Sequence, residues 1–175
     1  MHQKSIEHIR LKELTASDLD VFEESFKDTY LSDRLDLFKK YLKEHTEKSR
    51  YVVLACHDGK IVGYVTLKYA SNYENFAKNN IPEIVDFNVI PRFRKLGIGR
   101  RLLRRAENIA KKAGYPQIGI GVGLYEDYGN AQRLYVKTGY VPDGKGLHYD
   151  GKPIKKETHV SVDDALALYF TKKLK

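Results

Sequence analysis

The chain has 175 residues, 42% hydrophobic and 31% charged, which are the proportions of one soluble globular domain with a sizeable core. No run approaches the roughly 18 apolar residues of a membrane span, the first residues lack a signal-peptide core, and a lone cysteine excludes an intramolecular disulfide or a cysteine-based zinc cluster. The net charge of +8 leaves open nucleic acid, an anionic cofactor or solubility alone, and a cytoplasmic protein is the simplest expectation.

Ile9 to Leu14 begins by alternating apolar and charged residues, which predicts a first strand. Thr15-Ala-Ser-Asp18 has helix-start chemistry, followed by Leu19, Phe22 and Phe26 at helical spacing. A second helix is predicted from about Ser32 to Glu44, with Leu35, Phe38 and Leu42 on its core face. Arg50 to Cys56 and Ile61 to Lys68 form a strand pair about the hairpin turn Asp58-Gly59. Cys56 reads as a small buried filler, since no base or helix N-terminus is evident to activate it. Ser71 to Asn80 is a polar connection of undefined structure leading to Ile81-Pro82.

A central strand, about Ile84 to Ile90, is stopped by Pro91. The turn Arg94-Lys95-Leu96-Gly97-Ile98-Gly99 follows and enters a helix at about Gly99. Its glycines let the backbone approach a ligand. The first N–H groups of the helix have no partner within it and sit at the positive end of its dipole, where phosphate binds. Arg92, Arg94, Lys95, Arg100, Arg101, Arg104 and Arg105 crowd around the turn. On the helix they also read as a solvated face, whereas phosphate contact is the better reading for Arg94 and Lys95. Leu102, Leu103, Ala106, Ile109, Ala110 and Ala113 form the apolar stripe, Glu107 and Lys111 are spaced to pair, and Gly114 ends the helix.

Gln117 to Gly123 alternates Ile118, Ile120 and Val122 with three glycines, giving a strand with one bare face. Close approach of a backbone or ligand and a tight helix-packing surface both fit it. Asn130 to Thr138 is a short helix ended by Gly139, Tyr140-Val141 starts a strand, Pro142-Asp-Gly144 is a turn, and Asp150-Gly151 is another. Ala165 to Leu174 is the last strand. The expected fold is α/β in a single domain over the whole chain, 1–175, with about seven strands and about four helices.

The dinucleotide fingerprint fails because Leu102 occupies the position of its third glycine. No Walker Gly-Lys-Ser/Thr occurs either. What remains is a loop that binds phosphate or diphosphate through main-chain N–H groups. Val89-Ile-Pro91, then Arg94-x-x-Gly97-x-Gly99 and the helix, resembles the acyl-CoA motif of the GNAT N-acetyltransferases. Ala131 to Tyr140, with Tyr135 and Gly139, resembles that family's second signature.

The resemblance implies the GNAT fold, a central mixed, mostly antiparallel sheet flanked by helices, and acetyl-CoA as cofactor with CoA as product. Phe87, Asn88 and Val89 would serve the pantetheine arm, with the Val89 N–H polarising the thioester carbonyl. Arg94, Lys95, Gly97, Ile98, Gly99 and Arg100 would hold the pyrophosphate. The family usually has Asn three residues before the alanine of the second signature. Tyr128 stands there in this chain, and Asn130, displaced by two, is the cofactor-binding candidate.

Catalytic roles fall to Tyr135 and Glu83. Tyr135 matches the tyrosine that protonates the leaving thiolate in many members, and it also reads as a buried aromatic. Glu83, eleven residues before Arg94, resembles the base of histone-type members. Asp86 or a water chain is the alternative base, and strand alternation places Glu83 and Asp86 on opposite faces.

The implied partner is a small-molecule or peptide amine substrate, with no nucleic acid and no membrane, and a homodimer is an assembly it admits. No histidine sits in a metal pattern, and His148 is the one to watch. Tyr73, Phe76, Tyr125, Tyr128 and Tyr149 fall in expected loops that could line an acceptor pocket. Two alternatives stand beside the enzyme: an acyl-CoA sensor or partner-binding module without turnover, and a basic nucleic-acid-binding protein.

Overall fold

A computed structural model of the chain describes residues 8–174. Its elements are β1 (Arg10–Glu13), α1 (Phe22–Phe26), α2 (Leu35–Thr46), β2 (Arg50–His57), β3 (Lys60–Lys68), α3 (Glu74–Lys78) and β4 (Glu83–Val89). They continue with α4 (Ile98–Lys112), β5 (Gln117–Gly123), α5 (Gly129–Lys137), β6 (Val141–Tyr149), β7 (Lys152–Pro153) and β8 (Leu166–Lys173). The eight strands lie in the order β1-β2-β3-β4-β5-β8-β6-β7, mixed and mostly antiparallel, with β4 and β5 parallel. This is the expected α/β architecture. The additions are the two-residue β7 and the one-turn α3, both too short for a periodic signal.

One compact unit comprises the residues up to Leu67 together with Asp86–Ala106. Its β2–β3 hairpin turns at Asp58 (φ 47°) and Gly59 (φ 76°), the paired left-handed conformations that a two-residue loop requires. The core gathers Phe22, Phe26, Phe38 and Tyr64, all fully buried, with ring centroids 4.5 Å apart for Phe22–Phe38 and 4.8 Å for Phe38–Tyr64. Each such ring contributes roughly 1.5–3 kcal/mol of burial. On α2 the buried residues are Phe38 and Tyr41, while Leu35 and Leu42, expected on the core face, are half-buried. Along α4, Leu102, Leu103, Ala106 and Ala110 are buried, but Ala113, expected to end the apolar stripe, is exposed in the turn after the helix.

The other unit comprises Lys68–Val85 and the residues from Glu107 onward. In it β5 pairs with the first two residues of β4 (Glu83↔Gly119, Ile84↔Ile120) and with β8 over its whole length. Ile118, Ile120 and Val122 fill one face of β5. The bare face is covered by aromatic rings. A Cβ at Gly119 would lie 2.2 Å from Phe76, at Gly121 2.9 Å from Tyr169 and at Gly123 2.5 Å from Tyr128. The glycine series is therefore a ring-packing surface and not a ligand cradle.

Two further expectations change here. Pro142 to Gly144 lies within β6, where the register against β8 shifts between Pro142 and Leu147, and Gly144 and Gly146 (φ 79° and 73°) absorb the irregularity. Glu107 pairs with Lys172 of β8 at 2.7 Å rather than with Lys111, the tertiary partner meeting a carboxylate that is only 12% exposed.

Candidate functional site

In the first unit β4 ends at Val89, Pro91–Phe93 forms a 3₁₀ turn with Pro91 at its start, and Arg94 returns to extended backbone. Lys95 (φ 62°) and Gly97 (φ 77°) are then left-handed, and α4 begins at Ile98. A left-handed lysine costs roughly 1–2 kcal/mol. At Gly97 an added Cβ would meet nothing within 4 Å, so glycine is required there by backbone conformation alone.

The Ile98 side chain is buried, and what it can offer a ligand is its main-chain N–H in the first turn of α4, beside that of Gly99. Arg94, Lys95 and Arg100 are exposed. Part of the basic crowd is structural: Arg101 Nη2 donates to the Ile9 carbonyl at 2.8 Å, and Arg105 lies 4.0 Å from Glu13.

Asp86 adopts φ 48° in the middle of β4, a conformation that Asp and Asn tolerate better than other residues. The regular alternation used to place Asp86 on a face is lost at this residue. Its carboxylate accepts from Arg34 Nη1 (2.7 Å), the Tyr41 hydroxyl (2.8 Å), the Tyr64 hydroxyl (3.0 Å) and Asn88 Nδ2 (2.6 Å). Four donors occupy the roughly four lone-pair positions of a carboxylate, so the hydrogen-bonding capacity of Asp86 is taken up within the fold. Burial first, and the Asp86 charge next, push the Tyr41 and Tyr64 hydroxyls well above the usual tyrosine range, so both remain donors. Gly63 on β3 permits this distorted strand to approach, since a Cβ there would lie 2.7 Å from the Asn88 carbonyl oxygen.

Phe87, Asn88 and Val89 are half-buried. The Val89 carbonyl accepts from Arg94 Nε at 2.9 Å, and Arg94 Nη2 donates to the Tyr30 hydroxyl at 3.2 Å. Tyr30, Arg34, Tyr41 and Tyr64 were invisible to sequence reading, because each is an ordinary member of a helix, strand or loop pattern. The one available signal was Asp86-x-Asn88, two residues prone to left-handed backbone inside an apolar strand.

The second unit holds the other expected residues. Glu83, 7% exposed, accepts from Ser71 Oγ at 2.6 Å, and Ser71 Oγ in turn accepts the Tyr73 N–H at 2.9 Å. Tyr135 is buried on α5, and burial pushes its hydroxyl well above the ordinary tyrosine value, so it is a protonated phenol at neutral pH. Asn130 is exposed on the first turn of α5. Tyr128, in the position where asparagine was expected, donates its hydroxyl to Asp164 at 3.0 Å.

Of the aromatics expected in loops, Phe76 lies within α3 and Tyr149 ends β6, because their partners are packed rings and a sheet neighbour rather than solvent. Tyr73 and Phe76 are buried, Tyr73 stacks on Tyr169 at 3.6 Å, and His148, 5% exposed, lies edge-on to Tyr73 at 4.8 Å. Tyr125 and Tyr128 share Asp164, and Tyr149 donates to Asp163. Among the described residues no group of three or more His, Cys, Asp or Glu could hold a metal ion, and no helix is long and apolar enough to cross a membrane.

Comparison with known proteins gives these geometries a context. Residues 12–140 match the family model of the Acetyltransferase (GNAT) family. Uncharacterized N-acetyltransferases of Mycobacterium bovis and Mycobacterium tuberculosis are 28% identical over 131 residues, 72% of this chain and 75% of theirs. An N-acetyltransferase from Staphylococcus aureus superposes with a TM-score of 0.68 at 16% identity, over 95% of this chain and 99% of that one. A candidate streptothricin acetyltransferase from Bacillus anthracis, solved in complex with acetyl coenzyme A, gives 0.67 at 22% identity over the same shares. At these identities the structural likeness concerns the fold.

Proposed function

The chain belongs to the GNAT acetyltransferase family, and from that premise we propose that it is a single N-acetyltransferase domain that transfers an acetyl group from acetyl-CoA to a primary amine of a small molecule or peptide, within a ternary complex. The observation that carries the proposal is the turn at 94–98. Left-handed Lys95 and Gly97 deliver the chain into the start of the fifteen-residue α4, where unpaired N–H groups and exposed Arg94, Lys95 and Arg100 suit a diphosphate.

When bound, acetyl-CoA supplies an activated acyl group as its thioester. Arg94, Lys95 and Arg100, with the main-chain N–H groups of Gly97, Ile98 and Gly99, would hold its phosphates. Phe87, Asn88 and Val89 would serve its pantetheine arm, with the Val89 N–H available to polarise the thioester carbonyl. Asn130, on the exposed first turn of α5, would be a further cofactor contact. Glu83 takes the proton that the ammonium must lose before nitrogen attacks the carbonyl carbon. Tyr135 would give a proton to the thiolate that leaves when the carbon–nitrogen bond forms and the carbon–sulfur bond breaks, and would regain one from the second proton that the new amide nitrogen sheds. To Asp86, the alternative base, we assign an anchoring role, since both its oxygens accept hydrogen bonds from Arg34, Tyr41 and Asn88.

Calorimetric titration of CoA into the full chain tests the cofactor half of the proposal. Saturable binding that weakens with salt is the expected result, since phosphate contacts are screened. Absence of binding would remove it.

A further inference from the structure

Arg94 is the terminus of a hydrogen-bond chain whose other end is a carboxylate. Arg94 Nη2 meets the Tyr30 oxygen at 3.2 Å, the Tyr30 hydroxyl meets Asn88 Oδ1 at 2.9 Å, and Asn88 Nδ2 meets Asp86 Oδ1 at 2.6 Å. The ends fix its direction. A guanidinium only donates and a carboxylate only accepts, so Tyr30 must accept from Arg94 and donate to Asn88, and Asn88 must present oxygen to Tyr30 and nitrogen to Asp86. Bonds aligned head to tail in this way polarise and strengthen one another.

Tyr30 is the unexpected member. It lies in the loop between α1 and α2 and is 54% exposed, so water could satisfy its hydroxyl without any protein partner. Instead the hydroxyl bridges two side chains from a different part of the sequence, and the Arg94 guanidinium carbon lies 5.9 Å from its ring centroid, within cation–π range. Arg94 is held at two points, Nε on the Val89 carbonyl and Nη2 on Tyr30, which use two of its five N–H donors and leave three for a ligand. An exposed arginine otherwise loses substantial side-chain entropy on binding an anion.

We propose that Tyr30 is a positioning residue for Arg94: its hydroxyl, anchored through Asn88 on Asp86, pre-organises the guanidinium for the diphosphate of the acyl donor. The ligand in this statement rests on the acyl-CoA reading given above, whereas the ordering of Arg94 does not.

A double-mutant cycle on CoA affinity tests the coupling. Tyr30→Phe keeps the ring and removes only the hydroxyl. It is expected to weaken CoA binding about fivefold in the otherwise native protein, the loss of about one hydrogen bond. In an Arg94→Ala background the same change is expected to have no effect. The same factor in both backgrounds, or no effect in either, would overturn the proposal. Nitrogen-15 NMR of the unliganded protein tests the ordering directly. The Arg94 Nε–H is expected to exchange with solvent several-fold faster in Tyr30→Phe, and an unchanged rate would overturn the positioning role. If the native protein does not bind CoA, the acyl-CoA reading fails while the NMR comparison still decides the role of Tyr30.

Discussion

The Arg34 guanidinium donates to Asp86 at 2.7 Å, joining the segment ahead of α2 to a left-handed residue inside β4. A strand that bends at Asp86 needs this external hold, because the conformation is costly and the local ladder cannot enforce it. The expected cofactor contacts Phe87, Asn88 and Val89 follow directly after the bend, so its anchoring bears on the site.

Substitution at Asp86 separates charge from backbone conformation. Asp86→Asn keeps a side chain that tolerates left-handed backbone but removes the charge from four donors. We expect a loss of about 2 kcal/mol in urea unfolding. Asp86→Ala should lose about 1 kcal/mol more, the added cost of the left-handed conformation. Equal stabilities for the two variants would show that the backbone at Asp86 is not strained.

Gly97 has a natural control in Gly59. Both have φ near 77° (77° and 76°), and at both an added Cβ would meet nothing within 4 Å. Replacing either by alanine should cost about 1 kcal/mol of stability. Only Gly97→Ala should also weaken CoA binding, since only that turn feeds α4. A loss of CoA affinity in Gly59→Ala of equal size would make the effect one of general stability.

The proposed acid and base differ in what their removal should leave behind. Glu83→Gln and Tyr135→Phe should each lower kcat about a hundredfold or more, with CoA affinity within about threefold of native. Full activity in Tyr135→Phe would end its role as the acid. Full activity in Glu83→Gln would leave a water chain as the route for the amine proton.

The buried tyrosines also set an alkaline limit on stability. Tyr41 and Tyr64 are held above the ordinary value of 10.0, by burial first and Asp86 next. Above pH 10 the unfolded chain releases these protons while the folded chain keeps them. Stability is therefore fully present below pH 10 and falls as pH rises beyond it. The urea midpoint should be flat from about pH 7 to 9 and drop above 10, and Tyr64→Phe should make that drop shallower. An equally steep drop in Tyr64→Phe would assign it to other groups.

Sequence reading succeeded where one residue type answers one backbone demand. Gly114 and Gly139 are left-handed at the helix ends they were expected to terminate (φ 89° and 94°), and Asp58-Gly59 forms the predicted hairpin, whereas Gly97, expected only to let a ligand approach, is required by its own φ of 77°. The order of most elements follows from apolar periodicity for the same reason. It failed where partners come from distant segments. Nothing local marks Tyr30 as a partner of Asn88, or Phe76 as the ring over Gly119, and β5 left its bare face open between ligand and packing. Asp86 read as an alternative base because it is a carboxylate on the central strand. Its four donors appear only when α2 with the segment ahead of it, β3 and β4 are brought together.

Release of free thiol from acetyl-CoA, followed with and without a panel of primary amines, tests the central claim most directly. Thiol release that depends on an added amine, with the acetylated amine identified by mass, is the predicted result. Tight CoA binding with no amine-dependent thiol release across small amines, polyamines and peptide N-termini would contradict it and leave a binding module.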